Sequence, residues 1–587
     1  MEKNKKTLAL ILVMATICIN AAAQAPAIAV NQLGYYSYAP KIAVVVNGAG
    51  SGVFYLVSTG KNDTVFKGSL GAEAQSLYSA NKANLADFST FAGNGTFQLY
   101  VPGIGNSDPF TIGGNVLHGV ATGLVKGFYY QRSAMALDAK FAGNWQRPAG
   151  HPDTAVLIHP GAATTSRPAG TVIKTPGGWY DAGDYNKYIV NSGISTGTLL
   201  ASYEDFSGYY DTLNTNIPES SNHLPDLMDE TLYNLRWMLT MQDPTDGGVY
   251  NKCTNAAFDG MVMPGVTKLP RYVVAKGTTA TLDFAAVMAQ AARITKRMTK
   301  HLPGFSDSCL RASENAWQWA LKNPKLAYDQ DALNKQFDPK ITTGGYGDSH
   351  FSDEWFWAAC ELFITTQSQK YYDTVVASIA APFSVPSWSS VHALGSYTLL
   401  RNEKSIPANT PVDVAPLKQQ VLVFANQLLA GGNKAFNTVM GQSNKDFVWG
   451  SNAVAANQGI VLVNAYLLSG DKKYINAALG NVDYLLGRNA TGYCFVTGFG
   501  TKSTLHPHHR QSVADGIADP VPGLLAGGPN PGRQDHTQYA FAEPETAYND
   551  NDQAYASNEI AINWNAPAVY LVNALEALRY KVGFDKK

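Results

Sequence analysis

The chain changes texture once, near residue 115, and that change limits the folds open to it. Before it, apolar residues come in short runs, Ile42–Val46 and Gly52–Val57, divided by Gly and Asn. Runs of this length, rich in β-branched residues, predict strands. Gly93-Asn94-Gly95 predicts a tight turn into a strand at Phe97–Val101, and Pro109 to Ile112 reads as the last strand. Strands at this spacing over residues 25–114 predict a small β-sandwich of immunoglobulin type. Gly113-Gly114-Asn115 serves as the linker.

From His118 to the end at residue 587 the apolar period becomes helical. Pro225 to Met241 places Leu227, Met228, Leu232, Leu235, Met238 and Leu239 on one face. Further helices are predicted at Thr281–Arg297, Asp353–Ile364, Val421–Leu429, Val454–Leu468, Tyr474–Leu486 and Pro567–Tyr580. Asn565 is the expected cap of the last, with Pro567 in its first turn. Long loops rich in Gly, Pro, aromatics and His separate these helices, and such loops usually carry function. The expectation is an all-α second domain, barrel or bundle.

The N-terminus predicts a signal peptide over residues 1–23. Lys3, Lys5 and Lys6 precede an apolar stretch from Leu8 to Ile19, and Ala21-Ala22-Ala23 offers a cleavage site before Gln24. The mature protein is expected to be exported, to the periplasm, the cell surface or the medium. Cys18 leaves with the signal; Cys253, Cys309, Cys360 and Cys494 are too scattered to suggest a disulfide framework. Lys and Arg number 44 against 45 Asp and Glu, so no basic face for nucleic acid or an anionic membrane is expected. With 15% charged and 11% aromatic residues, the composition suits a neutral, hydroxyl-rich ligand.

Three segments carry the chemistry. In Gly177-Gly178-Trp179-Tyr180-Asp181-Ala182-Gly183-Asp184-Tyr185, two carboxylates flank a glycine. A turn there lets one hold a water while the other takes its proton; an Asx-type turn is the plain alternative. The second segment, Thr497-Gly498-Phe499-Gly500 through His506-Pro507-His508-His509-Arg510, suits a metal, a sugar contact or an ordinary loop. The third contains Tyr548-Asn549-Asp550, Tyr555, Asn558-Glu559 and Asn563-Trp564-Asn565-Ala566. A carboxyl among Tyr, Trp and Asn is desolvated and holds its proton; a helix-start Glu in a loop is the alternative. Two acidic sites far apart in sequence and surrounded by aromatics fit glycoside hydrolysis.

Taken together, the segments resemble glycoside hydrolase family 9, the cellulase family. Tyr548-x-Asp550, Tyr555, Glu559, Ala561 and Asn565-Ala566 fall in register with one signature. Thr497, Gly500, Lys502, Pro507, His508 and Arg510 fit the other, with Cys494 standing where Ser, Thr or Val is usual. Asp181-Ala182-Gly183-Asp184, Gly127–Arg132 and Asn31–Tyr35 extend the likeness to a subgroup with an N-terminal Ig-like domain. The resemblance implies a multidomain chain, an Ig-like sandwich followed by an (α/α)6 barrel, and an inverting mechanism. By matching position Asp184 would be the base, Asp181 would help position the water, Glu559 would be the acid and Asp550 would support the site. His508 and Arg510 would bind the sugar, with Tyr555 and Trp179 as aromatic subsite candidates.

The implied partner is a β-glucan polysaccharide or oligosaccharide, cleaved by a monomer without an organic cofactor, nucleic acid or, after signal removal, membrane. Members of this subgroup often carry a zinc site. The corresponding positions here are Ser133, Gly150, His151 and Tyr180, so no zinc is expected. The family's calcium pattern is matched by Ser349, Asp353 and Glu354; a capped helix start is the alternative.

Overall fold

The computed structural model describes residues 26–48 and 52–586. The predicted signal peptide lies outside the described residues. The first domain is a sandwich of two sheets. One orders its strands Ile28–Ala29, Ile42–Val46, Lys82–Asp87 and Ala74–Gln75. The other runs Gly34–Tyr35, Phe110–Ile112, Gly95–Val101, Val53–Ser58 and Thr64–Ser69, with Gly105–Asn106 pairing on Gly95–Val101. Alternation builds its core: Phe54 and Leu56 point inward from one strand, and Phe97, Leu99 and Val101 from another. Ile42–Val46 is apolar throughout because it is covered on both faces. Ala43 and Val45 face the sandwich core, while Val44 and Val46 pack on Phe436 and Ala490 of the second domain.

Helices of ten or more residues make up the second domain, and they alternate between two layers. The inner layer comprises Ile189–Tyr210, Thr278–Thr295, Ser352–Thr366, His392–Arg401, Ser451–Ser469 and Ile562–Val582. The outer layer comprises His118–Tyr130, Asp226–Thr240, Phe305–Lys322, Gln369–Ser378, Ala415–Ala430 and Lys472–Leu485. Inner helices pack on their neighbours from Ile189–Tyr210 through His392–Arg401 and again from Ser451–Ser469 to Ile562–Val582, which returns to Ile189–Tyr210. Between His392–Arg401 and Ser451–Ser469 the outer helix Ala415–Ala430 joins the neighbours. The result is an (α/α)6 barrel.

The inner helix Ile189–Tyr210 is not marked by the period, and its burial gives the reason. Ile189–Tyr210 is buried nearly all round, with Asn191, Ser192, Ser195, Thr196, Thr198 and Ser202 inside. A helix without a wet face shows no polar stripe. Its close approach to a neighbour needs glycine: a Cβ at Gly197 would stand 2.5 Å from the Trp357 ring. The last helix begins at Ile562, so Asn565 lies within it and does not cap it. Its side chain instead accepts from the Leu525 N–H at 3.0 Å and donates to the Leu124 carbonyl at 2.9 Å. Among the barrel loops, Val172–Ile173, Val156–Ile158, Arg271–Val273, Lys252–Asn255 and Lys187–Tyr188 form a small sheet that helical periodicity does not show. Cys253, Cys309, Cys360 and Cys494 are buried free thiols.

Candidate active site

The three chemistry-bearing segments meet where two inner helices begin. Asp181 and Asp184 precede Ile189–Tyr210, and Glu559 directly precedes Ile562–Val582. Backbone bonds stitch the segments together. Ala182 bridges Ala561, and the Ile562 N–H donates to the Asp181 carbonyl at 2.8 Å. His508 bridges Glu559, its N–H donating to the Asn558 carbonyl at 2.9 Å. The Arg510 N–H donates to the Gly183 carbonyl at 3.1 Å. Gly183 is needed for this approach, because a Cβ there would stand 2.0 Å from the His508 carbonyl oxygen.

Asp181 is fully buried. The Asn191 amide donates to both its oxygens at 3.0 and 3.1 Å, and the Tyr346 hydroxyl donates to Oδ2 at 2.9 Å. Burial and the neighbouring Asp184 nevertheless push its carboxyl up to about 8. Asp184 is held at Oδ2, by the Asn186 amide at 2.5 Å and the Tyr188 hydroxyl at 3.2 Å. Asn186 is itself fixed by Thr254 Oγ1 at 3.0 Å and the Asn255 N–H at 2.9 Å. Both side-chain bonds fall on one oxygen, which leaves Oδ1 for a water. Burial first, then Asp184 and Asp181, raise the proton affinity of Glu559 well above that of an ordinary carboxyl, against the opposing charge of Arg510. The site thus sets a carboxyl of raised proton affinity, Glu559, beside an Asp184 whose orientation is fixed.

Asp550 is a strut. Its oxygens accept from the Leu505 and His506 N–H groups at 2.9 and 2.8 Å, tying the second segment to the third. The His508 Nδ1–H donates to the Asp552 carbonyl at 2.5 Å. Burial keeps that ring neutral, so its Nε2 is an acceptor. Arg510 is buried, with Nε on the Asp259 carbonyl at 2.9 Å and Nη1 on the Gly183 carbonyl at 2.8 Å. The three histidines diverge. His506 is exposed, His508 half-buried, and His509 buried against Gln131 and Ser512, its pKa lowered to about 3 by burial. Among the described residues no group of three His, Cys, Asp or Glu is arranged to hold a metal ion.

One aromatic candidate must be withdrawn. Trp179 is 0% exposed and packs on Phe128, so it has no free face for a sugar. Tyr555 is half-buried and stands 5.3 Å from Trp449 and 5.7 Å from His508, centroid to centroid. Sequence reasoning did not single out Trp449, Tyr346, Tyr188 or Trp388. Trp449 is 41% exposed. Tyr346 stands edge-on to Tyr188 at 4.9 Å and to Trp388 at 5.4 Å. Its backbone has φ +47°, a strained conformation for a tyrosine and a mark of functional loops. Trp449, Tyr346 and Trp388 come from loops remote from the motifs, and no local pattern marks them, whereas Tyr188 lies four residues after Asp184.

Residues 118–572 match the family model for glycosyl hydrolase family 9, and residues 23–106 match the cellulase N-terminal Ig-like domain. The chain belongs to glycosyl hydrolase family 9. A xyloglucan-specific endo-β-1,4-glucanase of Bacteroides ovatus is 47% identical, over 94% of each chain. Endoglucanase D of Acetivibrio thermocellus is 31% identical, over 83% of this chain and 74% of its own. A solved family 9 structure from Bacteroides ovatus superposes with a TM-score of 0.90 at 46% identity, covering 94% of this chain and 99% of that one.

In this family 9 hydrolase the polar side chains at the zinc positions are taken up by protein partners. His151 Nδ1 meets the Tyr180 hydroxyl at 2.9 Å, and its Nε2 lies 3.5 Å from Asp259. Ser133 Oγ donates to the Gly177 carbonyl at 2.7 Å. At the calcium positions Ser349 is exposed, and Asp353 accepts from the Val391 N–H at 2.8 Å. Helix Ser352–Thr366 has no side-chain cap, so neither Ser nor Asp is present there as one. Glu354 is buried with both carboxyl oxygens unpartnered, as are both oxygens of Asp283 and one of Asp348. Burial and mutual repulsion raise the proton affinity of Glu354 and Asp283. Unpartnered buried oxygens suit a hard cation such as Ca²⁺.

Proposed function

We propose that this hydrolase cleaves internal β-1,4-glucosidic bonds of a β-glucan with inversion, Asp184 acting as base and Glu559 as acid. The observation that carries the reading is the backbone bonding that joins the Glu559 segment to the Asp181–Asp184 turn, beside an Asp184 whose Oδ2 is pinned. Glu559 gives its proton to the glycosidic oxygen as the C1–O bond breaks. Asp184 takes a proton from the water that attacks C1 from the opposite face. Asp181, fixed by Asn191 and Tyr346, orients that water. The products are a free alcohol and an inverted hemiacetal; proton exchange with solvent resets both carboxyls. An inverting pair leaves about 6.5–9.5 Å for this water. His508 Nε2, Arg510, Tyr555 and Trp449 are assigned to sugar contacts and Asp550 to support.

Xyloglucan is the second reading for substrate, favoured by the Bacteroides ovatus relative at 47% identity. A panel of cellulose, xyloglucan, mixed-linkage glucan and cello-oligosaccharides, with viscosity and product size followed over time, decides. A fast fall in viscosity supports internal cleavage, and steady release of one small product from chain ends refutes it. NMR of the first-formed anomer must show inversion.

A divalent cation, calcium by its oxygen chemistry, is proposed to sit between Glu354 and Asp283, a pair of buried carboxyls whose oxygens lack partners, and not at a cluster of three or more. When bound it would neutralise buried carboxylates that otherwise repel. Export through the signal peptide is proposed likewise; no helix of the described residues is long and apolar enough to cross a membrane.

A further inference from the structure

Among the contacts between the Ig-like domain and the barrel, two lead to the surroundings of Glu559. The first is Gln32, buried between the domains. Its Oε1 accepts from the Thr501 and Lys502 N–H groups at 2.8 and 2.9 Å, and its Nε2 donates to the Gly492 carbonyl at 2.7 Å. One side chain thus fixes the turn that leads to His508. Gly500 is required there, since a Cβ would stand 2.6 Å from Gln32 Oε1. The second contact is the loop around Ser79. Ser79 Oγ donates to Glu545, and the Ala80 N–H donates to Glu543 at 2.8 Å. Glu545 lies five residues before Asp550.

The two gripped segments converge. Asp550 accepts from Leu505 and His506 on the first segment, and from the Asn558 amide at 3.2 Å. The Tyr548 hydroxyl joins Thr504 at 2.6 Å and Asn558 at 2.5 Å. Asn558 then bonds the His508 backbone and precedes Glu559.

We propose that the Ig-like domain is a positioning element of the active site: Gln32 and Ser79 clamp the two segments whose crossing at Asp550 sets the place of His508 and Glu559. The inference rests on Glu559 being the acid. Its energetic logic is that of orientation, where small misplacement of a reacting group costs rate without costing binding.

The test uses the full-length enzyme on the best soluble glucan of the panel, about ten degrees or more below each variant's melting midpoint. Gln32→Ala should lower kcat about tenfold with KM changed less than about twofold. Ser79→Ala should act in the same direction. Gln32→Glu keeps the acceptor for Thr501 and Lys502 and should recover most of kcat. Val65→Ala, on an exposed strand of the same domain, should match the parent. Folded Gln32→Ala and Ser79→Ala enzymes with kcat within about twofold of the parent overturn the proposal. So does an equal loss in Val65→Ala. Should Gln32→Ala not fold, Ser79→Ala decides by the same criterion. Hydrolysis surviving in Glu559→Gln would instead remove the assignment of the acid; an inactive Glu559→Gln beside a fully active Gln32→Ala removes only the clamp.

Discussion

Asp181 is a place where function and stability oppose each other, and the opposition has a calculable size. Its carboxyl is pushed up to about 8 in the folded protein by burial and by Asp184, against about 3.9 in an unfolded chain. The folded state therefore binds the proton more tightly than the unfolded state, so this group favours folding at low pH. Its contribution is lost as pH rises from the unfolded value toward the folded one. Integrating between pH 5 and pH 8 gives a loss of about 4 kcal/mol from this residue alone.

Asp181→Asn removes the titration while keeping the shape. The asparagine oxygen can still accept from Asn191, and its amide can donate to the Tyr346 oxygen once that hydroxyl turns. Guanidinium unfolding of parent and variant, followed by tryptophan fluorescence from pH 5 to pH 8, measures the difference. The variant's advantage should grow by about 4 kcal/mol across that window, while its hydrolytic rate falls about 10²-fold or more. Parallel stability curves for the two proteins would refute the reasoning, because they would mean that Asp181 carries no folding penalty. A variant that gained stability but kept full activity would separate the penalty from the chemistry.

Glu559→Gln should abolish hydrolysis while oligosaccharide still binds, as calorimetry would show; in the parent, kcat/KM should fall on the alkaline side as the raised Glu559 proton is lost. Tyr346→Phe removes one of the three hydrogen bonds to Asp181 and should cost about 1 kcal/mol, roughly fivefold in kcat/KM, with no change in product anomer. Calcium should raise the melting midpoint of EDTA-treated enzyme, and Glu354→Gln should shrink that shift; an identical shift in both would place any cation elsewhere.

What could be read from the chain alone follows from how each residue is held. Asp181, Asp184, His508 and Glu559 sit on segments that bridge one another through backbone bonds, so their spacing within each segment is tightly constrained and forms a recognisable pattern. Tyr346, Trp388 and Trp449 approach the same place from separate loops, where only the final fold brings them near. Trp179 shows the converse. It stands two residues before Asp181, yet its ring turns into the core beneath His118–Tyr130. Adjacency to a motif says nothing about which side of the backbone an aromatic ring takes. The outer helix Ala415–Ala430 shows an apolar stripe, Leu417, Val421, Ala425 and Leu428, because its other face is wet. Ile189–Tyr210 carries Asn191 to the site on a helix that has no wet face to betray it. The polar residues that hide an inner helix from the period are thus the ones that include Asn191, the side chain that fixes both oxygens of Asp181. A buried Asn in a helix of small residues, one turn into a segment that follows two carboxylates, is therefore itself a signal of an active site.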